Sequence, residues 1–221
     1  MKRATWLMLA CVLQAAAAAA GPLTVEVVDK NGKPTPNAVV LLQVAGLGGQ
    51  TPPPLPREAT VAQERMQFVP AVSLVARGAR VRFVNRDPWD HHVRSSAAGA
   101  AQFTATGKDG FELRLPGHEE GKPAQAVEVT LDQPGVVGAN LLGCYIHGSM
   151  RGFIYVSDTP WAAKTGGDGT VRFADVPDGP VQVRVWQAEQ LIELPPQLLQ
   201  LTRAPAQVRM QLQVVPRRAR L

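Results

Sequence analysis

Cysteine is scarce in this chain: there are two among 221 residues, Cys11 and Cys144. A disulfide framework is therefore excluded as the basis of the fold. Aromatic residues make up only 5%. They are not interleaved with basic residues in the way nucleic-acid-binding faces require, so no nucleic-acid partner is expected. Beyond the N-terminus no segment reaches about 20 consecutive apolar residues, so no membrane span is expected in the mature chain. Helix signals are few: AEQLIELPPQLLQL could make a helical turn or two, but Pro195-Pro196 breaks it. Four histidines, His91, His92, His118 and His147, leave room for very few imidazole sites.

What is present begins with MKRATWLMLACVLQAAAAAAGP: two basic residues, an apolar run, then small residues at Ala18 to Ala20. That layout predicts a secretory signal peptide over residues 1–20, and with it export to the periplasm. A retained anchor is the competing reading. A lipoprotein attachment at Cys11 is disfavoured, because the apolar stretch before it is too short. Removing the leader leaves Cys144 as the single thiol. In an oxidising compartment a lone thiol is buried and inert, catalytic, or bonded to a metal. The formal charge of +5 falls to about +3 without Lys2 and Arg3. The excess sits in the tail, residues 216–221, read as a solvated basic end or at most a weak docking patch.

Short alternating runs rich in Val, Gly and Pro predict an all-β protein of packed antiparallel sheets. A first set holds LTVEVV (23–28), the turn signal Asn31-Gly32, and AVVLLQV (38–44). A Gly- and Pro-dense stretch follows, and residues 51–65 are read as a linker. A second set covers VSLVA (72–76), ARVRFVN (79–85), HVRS (92–95), FELRL (111–115), AVEVTL (126–131), ANLLGC and GFIYVS (152–157). A third set is TVRFADV, VQVRVW and QVRMQLQV. In the last, Val208, Met210, Leu212 and Val214 alternate with polar residues, the mark of one wet face. The first and third sets together resemble one small transthyretin-like or carboxypeptidase-regulatory-like sandwich. The expected organisation is residues 22–50 plus 160–215 as that sandwich, with residues 66–157 inserted in or flanked by it.

The chemistry concentrates in GCYIHGSM, residues 143–150. Cys144, His147 and Met150 recur at one spacing. A thiolate and an imidazole suit copper or zinc, whereas a thioether is a poor zinc ligand and suits copper. A copper site of this kind needs a second imidazole, and FVNRDPWDHHV (83–93) supplies His91 and His92 where a strand runs into a loop. His118, in LPGHEEGK, reads as solvated.

These two segments together resemble the cupredoxins, the blue copper proteins, and within them the amicyanin- and plastocyanin-like members. The flank DTPWAAKTGGDGTVRFADVP resembles exported, plastocyanin-like proteins related to methylamine utilisation. The resemblance implies a Greek-key β-sandwich and one type 1 copper ion held by His91, Cys144, His147 and Met150. It also implies that Asn85, six residues before His91, braces a loop beside the site. Two positions depart from the pattern. His92 stands where Asn is common and is the alternative ligand; Gly148 stands where Pro is common. His91 is preferred because its spacing from Asn85 fits and because strand alternation turns only one of the pair inward.

The implied function is a periplasmic carrier of single electrons between redox proteins, not an enzyme. A copper storage, delivery or sensing protein is the alternative, disfavoured by the lack of Met- or His-rich tracts. A copper enzyme would need a second cluster of histidines that the chain lacks. A Cys144–His147 nucleophile and base would leave Met150 and the upstream His idle.

Overall fold

The computed structural model describes residues 20–45, 52–103 and 110–217. The expected leader thus lies outside the described residues, save Ala20, where the first strand begins. Among the described residues there is no α-helix and no helix long and apolar enough to cross a membrane.

Among the described residues sixteen strands form four sheets. The chain opens with β1 (Ala20–Val28) and β2 (Val39–Val44). Next come β3 (Glu58–Glu64), β4 (Gln67–Val69), β5 (Val72–Val75), β6 (Ala79–Asn85) and β7 (His91–Ala97). They are followed by β8 (Glu112–Leu115), β9 (Ala126–Leu131), β10 (Ala139–Cys144) and β11 (Arg151–Val156). The last group is β12 (Ala162–Lys164), β13 (Thr170–Pro177), β14 (Gly179–Trp186), β15 (Gln197–Leu201) and β16 (Ala206–Gln211).

Strands β3 to β11 make the two central sheets, ordered β4-β3-β6-β9 and β5-β11-β10-β7-β8. Their facing sides alternate as the sequence does. In ARVRFVN, Val81 and Phe83 are buried, while Arg80 and Arg82 point to water. These residues join Val93, Leu142, Ile154 and Val156 in one core. At the narrow edge of that core Gly152 leaves no room for a side chain: a Cβ there would stand 2.6 Å from the Cβ of Phe68.

The strands on either side of this unit pair with each other. β1 lies between β13 and β16, so Val25 faces Val171 on one side and Val208 on the other. β2 lies between β12 and β14, with Leu42 opposite Val183. These two outer sheets close on their own core, which includes Leu23, Val40, Leu42, Trp161 and Phe173.

A third apolar cluster lies between the outer and central sheets. It explains two runs in the sequence. In β2, Val40 and Leu42 face the outer core, while Val39 and Leu41 face this seam. In β11, Ile154 and Val156 face the central core, while Tyr155 faces the seam. A strand buried on both faces reads as continuously apolar rather than alternating. The Trp186 ring lies 5.0 Å from that of Tyr155 across the seam. Arg184 forks onto both oxygens of Asp158 at 2.9 and 2.8 Å, and the Thr159 hydroxyl donates to the Leu42 carbonyl at 2.7 Å.

Two expectations are corrected. Residues 51–65 are not all linker: β3 pairs in parallel with β6, Glu58 opposite Arg80 through Gln63 opposite Asn85. EATVAQE holds only a short apolar stretch, and its buried Gln63 breaks the alternation that would mark a strand. The central unit therefore starts at Glu58 rather than at residue 66. The segment QLLQL is an edge strand, β15, and not a helical turn; it lies along β14 with Leu198 largely exposed.

Candidate metal centre

His91 is the first residue of β7 and Cys144 the last of β10. The two strands are antiparallel neighbours, with Cys144 opposite Val93, so the fold itself brings these residues to one end of the sandwich. After Cys144 the chain turns back into β11. The Met150 amide donates to the His147 carbonyl at 3.0 Å, which closes the loop. His147 thereby comes back over Cys144.

Three atoms converge. Cys144 Sγ lies 3.7 Å from His91 Nδ1 and 3.7 Å from His147 Nδ1, and the two nitrogens are 3.2 Å apart. A point equidistant from all three is about 2.1 Å from each, at the length of a metal–imidazole bond and about 0.2 Å shorter than a metal–thiolate bond. His91 and Cys144 are buried, and His147 is half-buried. Two imidazole lone pairs and a sulfur aimed at one point repel one another unless a cation or a shared proton lies between them. The set therefore fits a metal ion. A thiol with two imidazoles suits copper or zinc, and copper tolerates a thioether as a further neighbour. Met150, 2% exposed, lies in the same buried cluster as Cys144.

Strand alternation separates the histidine pair. His91 faces inward with Val93, while His92 faces out. The His92 ring packs at 4.8 Å from the Tyr145 ring, and its Nε2 is 3.5 Å from Glu112. Tyr145 donates its hydroxyl to Glu112 at 2.6 Å and lies under Arg94. His92 thus belongs to a surface cluster and is not among the converging donors. His118 differs from its solvated reading: it is half-buried, and its Nδ1 is buried without a partner among the described residues.

Asn85 sits at the end of β6 with its side chain fully engaged. Its amide nitrogen approaches the carbonyls of Trp89, Leu115 and Pro116 at 2.8, 3.2 and 2.9 Å. Its oxygen accepts the Asp87 amide at 2.9 Å. The loop leading to His91 is tied in this way to the loop after β8.

Asp87 carries no motif that marks it in the sequence. Its Oδ2 lies 2.9 Å from His91 Nε2, the ring nitrogen facing away from Cys144. Burial alone would push its carboxyl up. Bonds from the Met66 amide, from His91 and from the Arg65 amide outweigh burial and hold it below the ordinary value of 3.8. With Nε2 donating to a carboxylate, His91 Nδ1 carries the lone pair that faces the cluster. The available signal was an acid four residues before a candidate ligand, in DPWDH.

No family model matches the chain, and no curated protein matches it. Solved structures do. Amicyanin from Paracoccus versutus is 20% identical, covering 52% of this chain and 97% of that one, with a TM-score of 0.35. A purple cupredoxin from Nitrosopumilus maritimus is 16% identical, covering 45% and 99%, with a TM-score of 0.34. A copper-containing nitrite reductase from Thermus scotoductus is 23% identical over 60% of this chain and 28% of that one, with a TM-score of 0.36. By its own strand order the central unit is an all-β sandwich of two facing sheets, β4-β3-β6-β9 and β5-β11-β10-β7-β8, with the donors gathered at one end.

Proposed function

We propose that this protein is an exported, mononuclear type 1 copper protein that passes single electrons between redox partners in the periplasm. One observation carries the reading: two imidazole nitrogens and one thiol sulfur stand around a common point at bonding radius, at the buried end of a sheet sandwich. His91, Cys144 and His147 are the proposed ligands, with Met150 as the weak fourth. The copper would supply a one-electron couple, and no substrate bond is made or broken.

The chain's own residues do the rest. β7 and β10 fix His91 and Cys144 on paired strands, so neither is free to follow a change in preferred geometry. The core around Val93, Leu142 and Met150 excludes water from the sulfur side. His147 is the least buried donor, and a Cβ at the adjacent Gly148 would meet nothing within 4 Å. That opening is the proposed approach for a partner. The outer sheets, assembled from residues 22–50 and 160–215, are proposed to be one split transthyretin-like sandwich that frames the copper unit.

The test is to add Cu(II) to the purified protein and record visible and EPR spectra. The expected result is one tightly held copper with intense thiolate-to-copper absorption and narrow hyperfine splitting. Readily exchanged copper without intense colour would favour storage or delivery instead.

A further inference from the structure

We propose that Asp87 is a positioning residue for this metal centre, and that the turn between β3 and β4 exists in its present form to hold Asp87. The inference rests on the copper reading for its electronic consequence, but not for its geometric part.

Asp87 is 4% exposed, and its polar groups are engaged with several different segments. Oδ2 meets His91 Nε2 at 2.9 Å. Oδ1 accepts the Arg65 amide at 2.5 Å, and Oδ2 also accepts the Met66 amide at 3.0 Å. The backbone amide donates to Asn85 Oδ1 at 2.9 Å, and the backbone carbonyl accepts the His118 amide at 2.7 Å. A carboxylate held from this many directions cannot rotate, so it dictates where the His91 ring lies.

The turn carries an independent sign. Arg65 and Met66 have φ of 52° and 59°, left-handed backbone that residues with side chains rarely adopt. Two such residues in succession are the geometry of a tight hairpin turn, where Asn and Gly are the usual occupants. Backbone in this region persists where its surroundings impose it. Here both amides of the turn point at one carboxylate. The hairpin thus reaches His91 through Asp87, although neither Arg65 nor Met66 is part of the donor set.

The chemistry follows from a carboxylate bonded to the far nitrogen of an imidazole ligand. It fixes the tautomer, with the proton on Nε2 and the lone pair on Nδ1. It would also set a buried negative charge one ring away from a copper ion bound there, which would favour the higher oxidation state.

The test compares the full protein with Asp87→Asn, which keeps the size and removes the charge. Without metal, nitrogen NMR at mildly alkaline pH should show His91 protonated at Nε2 alone in the unaltered protein, and a mixture of tautomers in the variant. With copper, the variant should favour Cu(I) over Cu(II) by at least tenfold more than the unaltered protein, a rise of about 59 mV for one electron. The absorption should remain intense. An unchanged tautomer with an unchanged potential overturns the proposal. A tautomer shift in a protein that takes up no copper supports the positioning role while removing the carrier reading. Should the variant fail to fold, the unaltered protein decides. A slowly exchanging Nε2 proton on His91 with protected Arg65 and Met66 amides supports the proposal, and their free exchange overturns it.

Discussion

Two buried aspartates, one in each half of the molecule, are built alike and do different work. Asp29, 5% exposed, follows β1; its Oδ1 accepts the amides of Asn31 and Lys33 at 2.8 and 2.9 Å and shapes the turn at Gly32. Asp87 also accepts two turn amides, but its remaining capacity goes to the ring of His91. The outer sheets thus spend buried polarity on their own backbone. Thr165 follows the same rule, with its hydroxyl donating to the Thr35 carbonyl and accepting from the Ala38 amide. The central unit directs part of its buried polarity onto the ring of His91, one of the three converging donors. A buried polar group is therefore informative according to whom it serves, not simply because it is buried.

The contrast can be broken from either side. The largest effect is expected for Cys144→Ala, which should abolish intense copper absorption while the circular dichroism of the sheets persists. Trp186→Ala empties the seam between the two halves and should cost about 3–5 kcal/mol in denaturant unfolding. Because no donor is touched, the copper spectrum of the folded fraction should stay as it was. Asp29→Ala orphans two amides and should cost about 1–3 kcal/mol, with copper affinity unaffected. His92→Ala is expected to change least: copper affinity and colour should match the unaltered protein, in contrast to His91→Ala, which should lose both.

Much of this arrangement was legible before any coordinates. The alternation of ARVRFVN and QVRMQLQV gave half-buried strands because one face of each meets a core and the other meets water. The loop from Cys144 to Met150 was legible because sulfur and imidazole are rare in this chain, so their proximity in sequence stands out. What was hidden depends on long-range partners. β3 does not read as a strand because Gln63, 0% exposed, interrupts its apolar pattern; its side-chain nitrogen donates to the Val61 carbonyl. Asp87 looked like one more loop acid until the fold set His91 and the Arg65–Met66 turn around it. The choice within the His91–His92 pair rests on the spacing from Asn85 and on the strand: alternation turns one ring in and its neighbour out, and the phase of β7 makes His91 the inward one.

The nesting of one unit inside the other has a consequence in time. β1 leaves the ribosome before the other described strands, yet its neighbours are β13 and β16, with Leu23 opposite Phe173 and Ala206. The partners of β3 to β11 all lie between Glu58 and Val156, so that set is complete while β1 and β2 still wait. The apolar run of β2 must travel unpaired for well over a hundred residues, a long interval of exposure to wrong partners. Holding factors that bind exposed apolar chain should therefore engage this protein through β1 and β2 rather than through the Cys144–Met150 loop.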